Sequence, residues 1–283
     1  METPESLRTG RLSVVLPAYN EEESVPLAAD VIGNLLTRAG IDHELIFVND
    51  GSRDHTWRAI QEAAARRPQV RGIRFSRNFG KEAAIFAGLA QARGDCCVVL
   101  DCDLQHPPEK ILEMYSLWQQ GWQVVEGIKV SRGKESPLHT LAAKTFYRFL
   151  SGATRLDMSH ASDFKLLDRR AVDVLVAMRE KNAFFRALSS WIGFDTAQVE
   201  FEVQPRAAGQ SKWSLRSLTR YAVTNLAAFS TAPLQIVTIL GVLVFLCSLV
   251  LGCWSLWQKI NGQALEGFTT LILLLLLIGS ALM

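Results

Sequence analysis

The sequence predicts an α/β domain built on a mostly parallel sheet, followed by amphipathic helices and a C-terminal pair of apolar helices. Three observations carry that prediction. Between residues 12 and 129, short β-rich runs alternate with stretches of helical spacing, the pattern of a parallel sheet covered by helices on both faces. With 283 residues, 49% of them hydrophobic, the chain holds one sizeable domain and a surplus. That surplus is concentrated, because no Asp, Glu, Lys, Arg or His lies between Arg220 and Lys259.

The first strand is LSVVLPAY, residues 12–19, and the helix ESVPLAADVIGNLLTRAG after it stops at Gly40. HELIFVND, residues 43–50, is the second strand, and HTWRAIQEAAARRP is a helix closed by Pro68. VRGIRFS, residues 70–76, leads to the helix KEAAIFAGLAQARG. CCVVLD, residues 96–101, leads to PPEKILEMYSLWQQG, a helix with Pro at its start and Gly121 at its stop. VVEGIK, residues 124–129, is the fifth strand. Ligands of such sheets bind at the carboxyl ends of strands, and these ends carry PAYNEEES, VNDGS and LDCDLQ. No G-x-G-x-x-G follows the first strand, which argues against a dinucleotide oxidoreductase, and a P-loop is absent.

In LDCDLQ, Asp101 and Asp103 face the same side if strand geometry holds through Cys102. Two carboxylates held close repel, and a hard divalent cation such as Mg²⁺ or Mn²⁺ removes the repulsion. The other reading is a solvated acidic turn whose Asp residues cap the helix that follows. The stretch itself leaves both open.

Beyond residue 136 the pattern is less regular. SPLHTLAAKTFYRFLSG is amphipathic and NAFFRALSSWIG gathers aromatics and leucine, as core or as interfacial segments. In WSLRSLTRYAVTNLAAF, Leu215, Leu218, Ala222, Leu226 and Phe229 share one stripe and Arg216 and Arg220 another, as in a helix lying in the headgroup layer. The run PLQIVTILGVLVFLCSLVLGCWSLW exceeds the length of about 20 residues that a membrane span needs, and GFTTLILLLLLIGSALM follows it. Arg206, Lys212, Arg216 and Arg220 precede the first run, so that side is expected to be cytoplasmic and the two spans to form a hairpin. METPESLRTGRLSVV has no apolar core of a signal peptide, and the soluble part is expected to stay in the cytoplasm. The second run ends the sequence without a polar flank, so its span is expected to be cut short. Cys96, Cys97, Cys102, Cys247 and Cys253 lack metal-ligand spacing and read as small buried hydrophobes. The expected organisation is a catalytic domain over 1–205, a juxtamembrane segment over 206–230, and spans over 232–258 and 267–283.

The segments VVLPAYNEEESV, VNDGSRDHT, RNFGKEAAIFAG, LDCDLQHPPE, SDFKLLDRR and RAAGQSKW, in this order, resemble the family 2 glycosyltransferases and, among them, the polyprenyl-phosphate glycosyltransferases. The resemblance covers residues 11–283 and implies a GT-A fold that moves one sugar from a nucleotide sugar to a lipid phosphate with inversion. It implies that Pro17, Tyr19 and Glu21 hold the base and ribose, that Asp50 contacts the base and Asp101 the nucleotide. Asp103 and Gln105 are then ligands of Mg²⁺ or Mn²⁺, with the donor diphosphate completing the octahedron. Arg206, Ser211 and Lys212 match the segment that holds the lipid phosphate, where Arg offers a fork and Lys a point charge. The resemblance implies Lys129 and Arg132 as further acceptor-phosphate contacts, although many relatives carry Arg where this chain has Lys129.

Asp163 matches the acid commonly proposed as catalytic base. The acceptor phosphate has a second pKa near 6, so little proton removal is required at neutral pH. Asp163 is therefore either a base or a residue that fixes a sugar hydroxyl or a cation such as Lys165. The resemblance further implies a cytoplasmic-membrane enzyme of cell-envelope glycan or lipopolysaccharide modification, often tetrameric, with no nucleic-acid partner. The resemblance favours UDP-glucose and undecaprenyl phosphate as the expected substrates. A dolichol-phosphate mannose synthase using GDP-mannose, and a membrane protein that only binds nucleotide sugar, are the alternatives. A processive polysaccharide synthase is disfavoured because SKWSLRSL lacks its Gln-x-x-Arg-Trp segment.

Overall fold

The structure is a computed structural model that describes residues 8–130, 162–178, 184–204 and 232–262, with the single positions 271, 274, 275 and 279. Strands β1 (Leu12–Ala18), β2 (His43–Asn49), β3 (Val70–Arg74), β4 (Cys96–Val99), β5 (Val124–Lys129), β6 (Lys165–Asp168) and β7 (Thr196–Phe201) form one sheet. Their order is β3-β2-β1-β4-β6-β5-β7. β1 runs parallel to β2, with Leu12 opposite His43, and parallel to β4, with Leu12 opposite Cys96. Every residue of β1, β2 and β4 is buried, which is why these strands read as near-continuous apolar runs without alternation.

The chain winds from β1 through β2 to β3 on one side and then crosses to β4 on the other. That reversal opens a crevice between the carboxyl ends of β1 and β4, where sheets of this kind take their ligands. Helices α1 (Ser24–Arg38), α2 (Thr56–Arg66), α3 (Lys81–Gln91) and α4 (Lys110–Gln119) connect the parallel strands. α1 illustrates why they pack: Val25, Ala28, Ala29, Ile32 and Leu36 recur at helical spacing and are all buried. Ile32 and Leu36 are fully buried, and each contributes about 2 kcal/mol of apolar transfer.

All five strands and all four helices read from residues 12–129 are present. Two strands were not read. β6 is antiparallel to both β4 and β5, and its four buried residues, KLLD, carry neither alternation nor length to mark a strand. β7 pairs parallel to β5 and turns only Val199 and Phe201 fully inward. Helices α5 (Arg169–Ala177) and α6 (Phe185–Trp191) follow β6. Asp168 caps α5 by accepting from the Arg170 backbone N–H at 3.1 Å.

β4 ends earlier than the sequence pattern predicts. The expected strand included Asp101, but β4 stops at Val99 and Cys102 and Asp103 form a turn, with Leu104 at a φ of 57°. Strand geometry therefore does not hold through Cys102, and the two carboxylates differ in environment. The capping alternative is excluded as well, because the N-cap of α4 is Glu109 and no side chain caps it.

The chain divides into two compact units, Met1–Thr219 and Arg220–Met283. In the second, α7 (Ala232–Ile260) is a single helix of 29 residues. Its stretch Val237–Ile260 has a mean hydropathy of 2.5 and is long and apolar enough to cross a membrane. Only 6% of its most apolar window is buried, so α7 is not a core helix of its unit. Cys247 and Cys253 on α7 are exposed, against the expectation of burial, whereas Cys96, Cys97 and Cys102 are buried. The expected second span over 267–283 and the interfacial stripe over 213–229 lie outside the described residues, apart from four helical positions beyond 270.

Candidate active site

Three loops meet at the crevice. After β1, Asn20 takes a φ of 54°, its backbone N–H donates to Ser52 Oγ at 2.9 Å, and its side-chain oxygen accepts from Arg53 N at 2.8 Å. Glu21 N–H donates to Thr56 Oγ1 at 2.7 Å, and the Glu21 carboxylate accepts the Ser24 hydroxyl at 2.7 Å. The PAYNE and NDGS loops are thus zipped to each other, with Pro17 inside β1 and Tyr19 half-buried beside it.

Asp50, expected at the base, is 3% exposed and places its two oxygens on the backbone N–H groups of Phe79, at 2.7 Å, and Gly80, at 3.0 Å. Burial pushes its pKa up, against the two N–H bonds that lower it. Gly51 permits this approach. Its φ is +61°, and a Cβ there would sit 2.2 Å from the Arg77 carbonyl carbon. Asp50 therefore fixes the loop that delivers the N-terminus of α3, and each oxygen keeps a second lone pair for another donor.

Lys81, the first residue of α3, reaches across the crevice. Its ammonium lies 2.6 Å from Asp101 and 2.7 Å from Asp163. Arg186 on α6 grips Asp163 from the other side with a fork, Nε to Oδ1 at 2.7 Å and Nη2 to Oδ2 at 2.9 Å. Glu82 accepts from Phe185 N–H at 2.8 Å and so ties α3 to α6. Burial alone would raise the pKa of Asp163, but Lys81 and Arg186 outweigh it and hold the carboxyl far below the usual range. Burial would likewise raise Asp101, and Lys81 holds it low. The Lys81 ammonium is pushed up by the two carboxylates against its own desolvation.

Lys165, the expected cationic neighbour of Asp163, is instead paired with Glu126 at 3.0 Å and donates to Ser190 Oγ at 3.2 Å. Its pKa is lowered by burial against the pull of Glu126. The cations that hold Asp163 are Lys81 and Arg186, neither of which the sequence reading singled out. Both leave a signal. A cation in the first turn of a helix opposes the helix dipole, and Arg186 is a lone charge inside AFFRALSSW.

Asp103 is 5% exposed and accepts from Gln105 N–H at 3.1 Å through Oδ1. Gln105 C=O accepts from Gln204 N–H at 3.0 Å, so the chain leaving β7 is pinned to the turn after β4. His106 packs against both Phe164 and Phe201, at centroid distances of 5.1 and 5.3 Å. Lys129 is exposed at the end of β5, opposite Phe201. Arg132, Arg206, Ser211 and Lys212 lie outside the described residues.

Carboxylates and cations gathered at the carboxyl ends of a sheet suit a polyanionic ligand. Residues 13–175 match the family model described as Glycosyl transferase family 2. The chain belongs to glycosyl transferase family 2. Within it, the transferase is 36% identical over 267 residues to the uncharacterized glycosyltransferase YkcC of Bacillus subtilis, across 94% of this chain and 83% of that one. It is 33% identical over 271 residues to the bactoprenol glucosyl transferase of Shigella phage SfV, across 95% of this chain and 88% of that one. Among solved structures, the glucosyl-3-phosphoglycerate synthase of Mycobacterium tuberculosis, in complex with Mn²⁺, UDP-glucose and phosphoglyceric acid, shares the fold. Its TM-score is 0.54 at 22% identity, over 78% of this chain and 79% of that one. The transferase therefore has a GT-A-like α/β fold with a mostly parallel sheet.

Proposed function

We propose that this transferase moves glucose from UDP-glucose to undecaprenyl phosphate, with inversion at the anomeric carbon, on the cytoplasmic face of a membrane that α7 anchors it to. One relationship carries the reading: Gln204 N–H donates to Gln105 C=O at 3.0 Å. Gln204, the last described residue before the RAAGQSK segment in sequence, is thereby held at the turn that bears Asp103, as suits a reaction between a diphosphate donor and a phosphate acceptor held by that segment. The names of the bactoprenol glucosyl transferases support the choice of lipid and sugar.

In this reading Pro17, Tyr19, Glu21, Asp50 and Asp101 line the nucleotide half of the site. Lys129, Arg132, Arg206, Ser211 and Lys212 hold the acceptor phosphate. Asp103 and Gln105 hold Mg²⁺ or Mn²⁺. The donor set is one carboxylate and one amide oxygen, and the Gln105 backbone N–H holds the Asp103 carboxylate in place at 3.1 Å. Hard cations of this kind are bound through one or two carboxylates plus substrate phosphates. When bound, the ion would neutralise charge on the departing diphosphate, and the Mn²⁺ in the complexes of the mycobacterial synthase supports this.

An acceptor phosphate oxygen attacks the anomeric carbon from the face opposite the nucleotide. The carbon–oxygen bond to the diphosphate breaks, and its electron pair stays on the diphosphate. The acceptor is already largely a dianion at neutral pH, so no base is required. Asp163, bound by two cations, positions them. The soluble part over 1–205, the juxtamembrane segment over 206–230 and a second span over 267–283 complete the proposed organisation.

The test is a panel of nucleotide sugars, including UDP-glucose and GDP-mannose, offered with undecaprenyl phosphate in detergent. UDP-glucose should release nucleoside diphosphate in proportion to glycolipid formed. Faster turnover of another donor, or release without glycolipid, would overturn the assignment.

A further inference from the structure

Lys81 stands where a cation is disfavoured, at the positive end of a helix, and two carboxylates keep it there. Asp163 takes one of its three N–H donors at 2.7 Å, both oxygens of Asp101 lie within reach at 2.6 and 2.9 Å, and 30% of the Lys81 side chain remains exposed. Asp163, 4% exposed, is locked in turn by the Arg186 fork. Asp101, Asp103 and Asp163 bring three carboxylates to the region that a nucleoside diphosphate must enter. A polyanion arriving there meets repulsion unless a cation faces it, and the ammonium of Lys81 is placed between two of the three.

We propose that Lys81 donates one N–H to the distal phosphate of the nucleoside diphosphate leaving group, with Asp101 giving up one of its two contacts to the ammonium, and that Asp101 and Asp163 aim it. This deepens the nucleotide-sugar reading and rests on it. As the bond from the anomeric carbon to the diphosphate oxygen breaks, the electron pair stays on that oxygen and the ammonium meets the growing charge by hydrogen bonding. No proton is transferred. Lys81 is then a catalytic residue, and Asp163 a positioning residue that acts through it.

The contact is specific to the distal phosphate, so the test compares di- and monophosphates. UDP, UMP, GDP and GMP are titrated calorimetrically into the full chain in detergent, with Mn²⁺ and again in EDTA. Lys81→Gln should weaken the preferred diphosphate by about tenfold to a hundredfold, the worth of a charge-assisted hydrogen bond, and leave its monophosphate unchanged. Asp163→Asn should shift the diphosphate-to-monophosphate ratio in the same direction. An equal loss for both nucleotides, or no loss, would overturn the contact. Asp163 keeps Arg186 in the Lys81→Gln protein, and Asp101 is 32% exposed, so no fully buried charge is left unpaired. Should that variant fail to fold, Lys81→Gln/Asp101→Asn removes the pair together and is read by the same ratio. A parent protein that binds none of the four nucleotides would overturn the nucleotide-sugar reading and this contact with it. A parent that prefers one diphosphate, with Lys81→Gln unchanged, would overturn the contact alone.

Discussion

The ammonium of Lys81 lies 2.6 Å from Asp101 and 2.7 Å from Asp163, so one cation ties the turn after β4 to the residue two places before β6. Together with Arg186 it commits both oxygens of Asp163 to cations. A carboxylate so held is a weak proton acceptor, because each neighbouring positive charge stabilises the ionised form that a base must give up. The same pairing makes Asp163 a brace between α3 and α6, and its removal should cost stability as well as activity.

The metal assignment predicts that Asp103→Asn lowers turnover by about a hundredfold, the scale of one lost electrostatic contact at a developing charge. EDTA should do the same to the parent, and Mn²⁺ or Mg²⁺ should restore it. Full activity of the parent in EDTA would remove Asp103 and Gln105 from this role.

At the loop between β2 and α2, Gly51→Ala places a Cβ 2.2 Å from the Arg77 carbonyl carbon at a φ of +61°. The loop that Asp50 clamps must move, which should cost about 2 kcal/mol or more of stability and raise the donor KM. Asp50→Asn keeps one acceptor oxygen for the two backbone donors and should show the milder form of the same defect. Thermal unfolding and donor kinetics on both variants check this. A stable Gly51→Ala protein with unchanged donor KM would show that the contact between the two loops does not organise the site.

Much of this architecture was legible because its signals are local. β1, β2 and β4 announce themselves as buried runs, and the acids at their ends mark the ligand side of the sheet. What stayed hidden depends on partners distant in sequence. The antiparallel β6 is four residues long and is defined only by its neighbours β4 and β5. Lys81 and Asp163 are 82 residues apart, and Asp163 and Arg186 are 23 apart. No periodicity links such positions, so the sequence offered Lys165, the nearest cation, and the fold turned that side chain to Glu126 instead. Asp101 and Asp103 face one side only if strand geometry continues through Cys102, but the turn at Cys102 and Asp103 separates a partly exposed carboxylate from a buried one.

The proposed acceptor half predicts a split between substrates. Arg206→Ala or Lys212→Ala should raise the KM for the lipid or lower kcat, by about tenfold each, and leave nucleotide-sugar affinity nearly unchanged. Binding of the donor measured without lipid separates the two. An equal loss of donor affinity would move these residues to the other half of the site.

The role of Asp163 is decided by pH. Its pKa is lowered in the folded protein, so its stabilising contribution is fully present above the unfolded value near 3.9 and is lost only as pH falls through the lower folded value. Between about pH 5 and 8 the parent carboxylate is therefore ionised throughout, and Asp163→Asn removes the same pairing at every pH. The stability cost should be about 2 kcal/mol, below the 3–5 of a fully buried pair, because Lys81 and Arg186 keep 30% and 25% of their side chains exposed. If Asp163 positions cations, the activity of the Asn variant, as a fraction of the parent's, should be nearly flat across that range. If instead it deprotonates the acceptor, the fraction should climb as pH passes the phosphate's own pKa near 6, where the dianion forms without help. The arrangement of Lys81 and Arg186 around Asp163 predicts the flat profile. A variant that recovers steeply between about pH 5 and 7, beyond the parent's own rise, would restore Asp163 as the base.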